Sequence, residues 1–229
     1  MKIITLISDT HSKHGQITND LPGGDLIIHA GDLSSMGYQE ELKWFFEWYK
    51  QLPYNHKVFI AGNHDWGFQT NAPETALQLK NYPEIDYLQD AMYVLGDDYT
   101  SAIKIYGSPW QPRFHNWAFN ADRGEDIKQH WDKIPTNGVD ILVTHGPAWG
   151  MLDKVHGRGL NLGCEDLTEA IARVKPKIHV CGHIHTGNGY YFNGETHFFN
   201  AAVLNESYTY THEPFTFEWN PETNEIEFL

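Results

Sequence analysis

Cysteine is nearly missing from this chain of 229 residues: Cys164 and Cys181 are the only two. Two such isolated positions give neither a disulfide framework nor a paired-thiolate zinc spacing, so both read as buried, reduced thiols. Basic residues are scarce as well, 16 Lys and Arg against 30 Asp and Glu, for a formal charge of -14. That balance is poorly suited to gripping long nucleic acid through its phosphates or to resting on an anionic membrane. No apolar stretch approaches the length that spans a bilayer. The N-terminal run Ile3 to Ile7 is too short for a secretory signal, and Asp9 interrupts it. A reducing cytoplasm is the expected compartment. Internal repeats, low-complexity tracts and interdomain linkers are also lacking, so residues 1–229 are expected to form a single domain.

What is present supports a folded core: 41% of residues are hydrophobic and 14% aromatic. Apolar, β-branched runs at Lys2 to Ser8, Leu26 to His29, Val58 to Ile60, Val139 to Thr144 and Ile178 to Cys181 read as buried strands. Between them, Leu42, Phe45, Phe46 and Tyr49 fall at helical spacing, and so do Leu167, Ala170, Ile171 and Val174. Helices are also predicted over Asn71 to Leu79 and Gly124 to Lys133. Ala91 to Leu95 and Ala102 to Tyr106 read as a hairpin about Gly96-Asp97-Asp98. The tail is β-rich, with a two-residue turn expected at Asn193-Gly194 and a further hairpin from Phe215 to Leu229. Strands that first alternate with helices and then pair as hairpins predict an α/β protein with a mixed sheet, or two facing sheets, and helices outside.

Histidine is unusually abundant, at 14 residues, and its distribution is not random. Each of the five buried strands runs out into residues that bind metals or carry protons: Asp9 and His11; Asp32; Asn63 and His64; His145; His183 and His185. In a strand, residues i and i+2 share a face, so Asp9 with His11, and His183 with His185, reach one centre if the backbone stays extended. Oxygen and imidazole donors without thiolate suit manganese first, then iron, zinc, nickel or cobalt, better than magnesium or calcium. There are too many ligands for one closed four-coordinate site. Two divalent ions roughly 3.5–4 Å apart, sharing a carboxylate, would use them all. Such a pair ionises a bridging water and holds the oxygens of a phosphoryl group, which suits phosphate esters, whose hydrolysis needs accelerations approaching ~10²¹.

In this order, Asp9-x-His11, Gly31-Asp32, Gly62-Asn63-His64-Asp65, His145-Gly146 and Gly182-His183-x-His185 resemble the five-block pattern of the calcineurin-like metallophosphoesterases. Tyr106-Gly107-Ser108-Pro109-Trp110-Gln111-Pro112 and His145-Gly146-Pro147 are similar to the metallophosphoesterase domain-containing (MPPED-type) branch, associated with hydrolysis of phosphodiesters that include cyclic nucleotides. The resemblance implies a four-layer sandwich of two mixed β-sheets flanked by helices. It implies that Asp9, His11 and His185 bind one metal, that Asp32 bridges, and that Asn63, His145 and His183 bind the second. His64 would be the general acid in attack by the bridging hydroxide, with Asp65 orienting it.

Relatives specialised for phosphoserine and phosphothreonine carry arginines beside the Gly-Asp block and before Gly-Asn-His. Here Leu33-Ser34-Ser35 and Ala61 stand in those places, so a small, monoanionic phosphodiester is the expected substrate. The alternatives are a nuclease on short RNA or DNA, a phosphomonoesterase, and a metal-stabilised interaction module without turnover. The aromatic loop Gly107 to Asn120 reads as a lid or, by preference, as a wall carrying Trp110 against substrate. His14, His115, Arg113 and Arg158 are lesser candidates for substrate contact. His29 reads as a packing residue, and His56, His130, His156, His179, His197 and His212 as surface or structural ones. Oligomeric state is left open.

Overall fold

The apolar runs fold as parallel strands, and the polar residues that follow them gather at one end. A computed structural model describes residues 1–96, 102–155 and 159–229. Its elements, in chain order, are β1 (Lys2–Ile7), β2 (Gly24–Ala30), α1 (Gln39–Gln51), β3 (Tyr54–Ile60), α2 (Ala72–Leu79), β4 (Asp86–Tyr87), β5 (Ala91–Leu95) and β6 (Ile103–Ser108). There follow β7 (Gln111–Pro112), β8 (Asn120–Ala121), α3 (Glu125–Trp131), β9 (Ile141–Thr144), α4 (Glu165–Val174) and β10 (Ile178–Cys181). The last four are β11 (Gly189–Phe192), β12 (His197–Asn200), β13 (Phe215–Asn220) and β14 (Glu225–Phe228).

One six-stranded sheet has the order β14-β13-β1-β2-β3-β4, and the other β11-β12-β10-β9-β6-β5. Both are mixed. In the first, β1 to β4 run parallel while β13 and β14 pair antiparallel. In the second, β6, β9, β10 and β12 run parallel and the edge strands β5 and β11 are antiparallel. Side chains that alternate along each strand sort into separate layers. Ile4, Leu6, Leu26, Ile28, Val58 and Ile60 of the first sheet meet Ile105, Ile141, Val143, Val180 and Phe199 of the second. The opposite face of the first sheet, through Ile27 and Phe59, packs on Phe45, Phe46 and Tyr49 of α1. The outer face of the second, through Leu142 and Phe198, packs on Ile127 and Trp131 of α3 and on Leu167 and Ile171 of α4. Helix, sheet, sheet, helix is the four-layer sandwich. Among the described residues, no helix is long and apolar enough to cross a membrane.

Two local expectations change. The β11–β12 hairpin closes its ladder at Phe192 and His197, so the connection is Asn193–Thr196 rather than a two-residue turn. The cause is Asn193, whose Oδ1 accepts the N–H groups of Glu195 (2.9 Å) and Thr196 (2.7 Å) and builds a wider turn of its own. The aromatic stretch is not a plain loop either, because β7 and β8 pair within it. Of the expected 91–106 hairpin, the strands pair as anticipated, whereas Asp97 and Asp98 lie outside the described residues.

Two buried histidines hold the sheets without serving the cleft. His29 Nε2 lies 2.9 Å from Thr10 Oγ1, and His179 Nε2 lies 2.9 Å from Thr144 Oγ1. Burial pushes both imidazoles down from 6.5 to about 3, so they are neutral in the folded protein. The unfolded chain binds these protons below pH 6.5, so their stabilisation is full above that pH and fades as pH falls toward 3. Each site should cost about 1.4 kcal/mol per pH unit in that window. Urea midpoints of the wild type should therefore drop more steeply between pH 6.5 and 4.5 than those of a His29→Asn/His179→Asn variant. Parallel curves would refute the assignment.

Candidate metal centre

The ligand-type residues sit where parallel strands end, and the backbone there is not extended. Asp9 (φ 56°), His11 (φ 42°), Ser12 (φ 61°), Asp32 (φ 56°) and His183 (φ 66°) are all left-handed. Alternation along an extended strand is therefore not what aims them; tight turns at the strand ends do. Each such residue costs roughly 1–3 kcal/mol. Interlocking backbone bonds offset the cost: Asp9 N–H to Gly31 O (2.9 Å), His11 N–H to Asp32 O (3.0 Å) and Ser12 N–H to Leu33 O (2.9 Å). Glycines admit the close approach. A Cβ on Gly182 would overlap Asp9 Oδ2 and Ser8 Oγ, and one on Gly62 would overlap Asp32 Oδ1.

Asp9, His11 and His185 form one group whose ligand atoms all lie within 4.8 Å of one another, and Asp32, His145 and His183 form a second. Asp32 stands between them, its Oδ2 3.6 Å from His11 Nε2 and 3.4 Å from His145 Nε2. Asn63 joins the second group through Oδ1, 3.0 Å from His145 Nε2. In the first, His185 Nε2 is 3.3 Å from Asp9 Oδ1 and 3.4 Å from His11 Nε2. The outward ring nitrogens are spoken for. His145 Nδ1–H donates to Ala30 O (2.9 Å) and His185 Nδ1–H to Asn205 O (2.9 Å), so each turns Nε2 inward.

Two carboxylates here face two charged imidazoles, His145 and His185. Both carboxylates are buried, and among the described residues their ion pairs are with histidines alone. Burial works to raise both carboxyls, but His185 overrides it at Asp9 and His145 at Asp32, holding both well below the usual carboxylate range. Reciprocally, burial would lower His145, yet Asp32 lifts it to about 9; burial would lower His185, yet Asp9 lifts it to about 9. His11 and His183, buried and among other imidazoles, fall to about 4 and about 3. Anionic oxygens and inward-facing imidazoles, neutral at His11 and His183 and freed of their protons by an incoming ion at His145 and His185, are the donor set that borderline divalent cations prefer.

His64 is at the rim of a cleft of about 380 Å³ whose walls include His11, Asp32, Asn63, His183, Phe114, Arg113, Arg123 and Tyr208. Its backbone N–H donates to Asp32 Oδ1 (2.8 Å), and its Nδ1–H donates to Ser35 O (2.7 Å). Asp65 does not touch the imidazole, contrary to its expected role. Its buried carboxylate accepts Leu33 N–H (3.1 Å), Ser34 N–H (3.0 Å), Ser34 Oγ–H (2.6 Å) and Gly62 N–H (2.8 Å). It braces the loop that carries Asp32 and the Ser35 carbonyl, and so acts on His64 at one remove. Burial and the nearby Asp32 charge raise Asp65 to about 6.

The aromatic wall is also re-assigned. Trp110 turns away, stacking on His130 (3.7 Å) and donating Nε1–H to Asp90 (3.3 Å). Phe114 takes its place in the wall, edge-on to His183 (5.7 Å), while Trp117, not among the residues lining the cleft, stacks on His64 (4.1 Å). Tyr208, unmarked in the sequence, stands edge-on to His11 (4.8 Å) and His185 (5.6 Å). His14 is buried against Phe45 and Trp48, and exposed His115 is not among the residues lining the cleft. His156 and Arg158 lie outside the described residues.

The profile of the calcineurin-like phosphoesterase family matches residues 3–187. The human metallophosphoesterase domain-containing protein 1 is 39% identical over 224 residues, covering 91% of this chain and 68% of that protein. A protein of Arcobacter nitrofigilis described as "Probable glycerophosphodiester phosphodiesterase GpdQ" is 24% identical over 204 residues, covering 80% of this chain and 71% of its own. The crystal structure of TT1561 of Thermus thermophilus superposes with a TM-score of 0.63 at 14% identity, covering 99% of this chain and 97% of that one. The chain belongs to the calcineurin-like phosphoesterases, a family of divalent-metal-dependent hydrolases of phosphate esters. Its two donor groups fit such ions.

Two outcomes follow from this geometry. A divalent ion must displace the protons that His145 and His185 hold up to about pH 9, so binding should release protons and tighten as pH rises from 6 to 9. Calorimetric titration with manganese in buffers of different ionisation enthalpy reads that release, and pH-independent affinity would contradict it. Gly182→Ala should push Asp9 aside and weaken metal retention about 10–100-fold with the fold intact, as displaced ligand supports do elsewhere. Metal analysis after dialysis, alongside circular dichroism, measures it.

Proposed function

We propose that the chain is a two-metal phosphodiesterase acting on small diesters, cyclic nucleotides among them. The observation that carries this reading is the sharing of Asp32 between the two donor groups, its Oδ2 facing His11 Nε2 on one side and His145 Nε2 on the other. Asp9, His11 and His185 would hold one ion; Asn63, His145 and His183 the other; Asp32 would bridge, and manganese suits the mixed donors. When bound, such a pair neutralises charge on a phosphoryl group and acidifies a water for in-line attack. His64, anchored at Nδ1 by the Ser35 carbonyl, leaves Nε2 free to hand a proton to the departing oxygen.

The preference for a diester rests on the cleft's cations. Its arginines are already matched by carboxylates, Arg113 by Asp122 and Arg123 by Glu165. Leu33, Ser34 and Ala61 beside the ligands are buried and uncharged. A dianionic monoester would lack a committed partner for its extra charge, whereas a monoanionic diester would not need one. The relative described as a glycerophosphodiester phosphodiesterase points the same way. Two free, buried thiols suit a reducing cytoplasm.

With manganese present, kcat/KM on bis(4-nitrophenyl) phosphate should exceed that on 4-nitrophenyl phosphate by about tenfold or more, roughly the effect of one missing charge-assisted contact. A strong preference for the monoester would overturn the choice of substrate class.

A further inference from the structure

Trp117 is not among the residues that line the cleft, yet it lies face to face with His64, ring centroids 4.1 Å apart and planes 26° from parallel. The His64 ring is held from three directions. Trp117 covers one face; the His11 ring stands edge-on at 4.6 Å; and Nδ1–H is fixed on Ser35 O at 2.7 Å. Only Nε2 is left to exchange protons.

The segment that delivers Trp117 is pinned to the same block of chain that carries His64. Ala118 N–H donates to Asn63 O (3.1 Å), and Phe119 N–H donates to Gln69 Oε1 (3.0 Å). The Asn120 amide ties down the carbonyls of Phe114 (3.3 Å) and His115 (3.0 Å) behind it. Left-handed His115 (φ 50°) and Phe119 (φ 53°) bracket Trp117, so the turn on either side of it is tight. Trp117 itself is half-buried.

We infer that Trp117 is the positioning residue for His64: it fixes the imidazole so that Nε2 alone meets the leaving-group oxygen. The inference rests on the proposed acid role of His64 and extends it to a residue that touches no substrate. Losing the stack lets the ring swing about its Cα–Cβ and Cβ–Cγ bonds, breaking the Ser35 bond part of the time. The penalty then falls on esters whose leaving group needs a proton, and spares those whose leaving group departs as a stable anion.

The test compares wild type, Trp117→Leu, Trp117→Phe and His64→Ala on diphenyl phosphate, a poor leaving group, and bis(4-nitrophenyl) phosphate, a good one. His64→Ala should lose about 100-fold in kcat on the first and only about 3-fold on the second. Trp117→Leu should show the same selectivity at about tenfold, Trp117→Phe a smaller loss, with metal content unchanged in all. Independently of turnover, the His64 Hδ1 resonance of the metal-free protein should be visible by NMR in wild type and Trp117→Phe and lost in Trp117→Leu. Trp117→Met carries both readouts should the leucine variant not fold. Retention of the Hδ1 signal in the leucine or methionine variant, or an equal loss on both esters, overturns the positioning role. If His64→Ala itself loses equally on both esters, the acid role of His64 fails, and the role of Trp117 falls with it.

Discussion

A single carboxylate, Asp32, sets the terms for the rest of the centre. It is buried at the end of β2, lies within 3.6 Å of an imidazole from each donor group, and has no lysine or arginine to balance it among the described residues. An unpaired buried charge costs several kcal/mol, more than the strain of any one left-handed residue around it. The structure therefore gains by crowding histidines against Asp32 even where the backbone must bend unfavourably. Asp65 serves the same end. Its four accepted hydrogen bonds fasten Leu33, Ser34 and Gly62 so that Asp32 is held in one place.

Parallel strands make the crowding possible. β1, β2 and β3 finish side by side in one sheet, and β9 and β10 finish side by side in the other. Each contributes its next residues at the same rim. The layers behind them, α1 on one flank and α3 with α4 on the other, fix those strands through aromatic and aliphatic contacts that never approach the cleft. Chemistry at the rim and cohesion in the layers are thus divided between different residues. Loops with no regular structure, around Phe114 and Tyr208, complete the walls.

Much of this was legible in the sequence, for a physical reason. An apolar run that ends in a ligand-type residue is a local signal, and five of them in order carried the polar residues of the centre, while helical spacing marked the buried faces of α1 and α4. What escaped was whatever depends on long-range packing or on backbone atoms. The carbonyls of Ser35, Ala30 and Asn205 orient three histidines, and a carbonyl has no signature in a sequence. Tyr208 reaches the site from a loop more than twenty residues past the last motif, where nothing local marks it. Trp110 and Trp117 sit in one aromatic stretch, and only tertiary contacts decide that the first turns to His130 and the second to His64. The left-handed turns at Asp9 and His183 were equally hidden, since both residue types also occur in extended chain.

The two sheets meet face to face through Phe199, Phe217 and their aliphatic neighbours, and the donor groups straddle the seam at its end. Asp9 and His11 come from one sheet and His185 from the other; Asp32 and Asn63 face His145 and His183 in the same fashion. Any ion held there is a rivet through both layers. Shear of one sheet against its neighbour, set in the hydrophobic seam far from the cleft, becomes misalignment of the donors, so the ligand-bearing rim doubles as a gauge of how faithfully the whole sandwich is stacked.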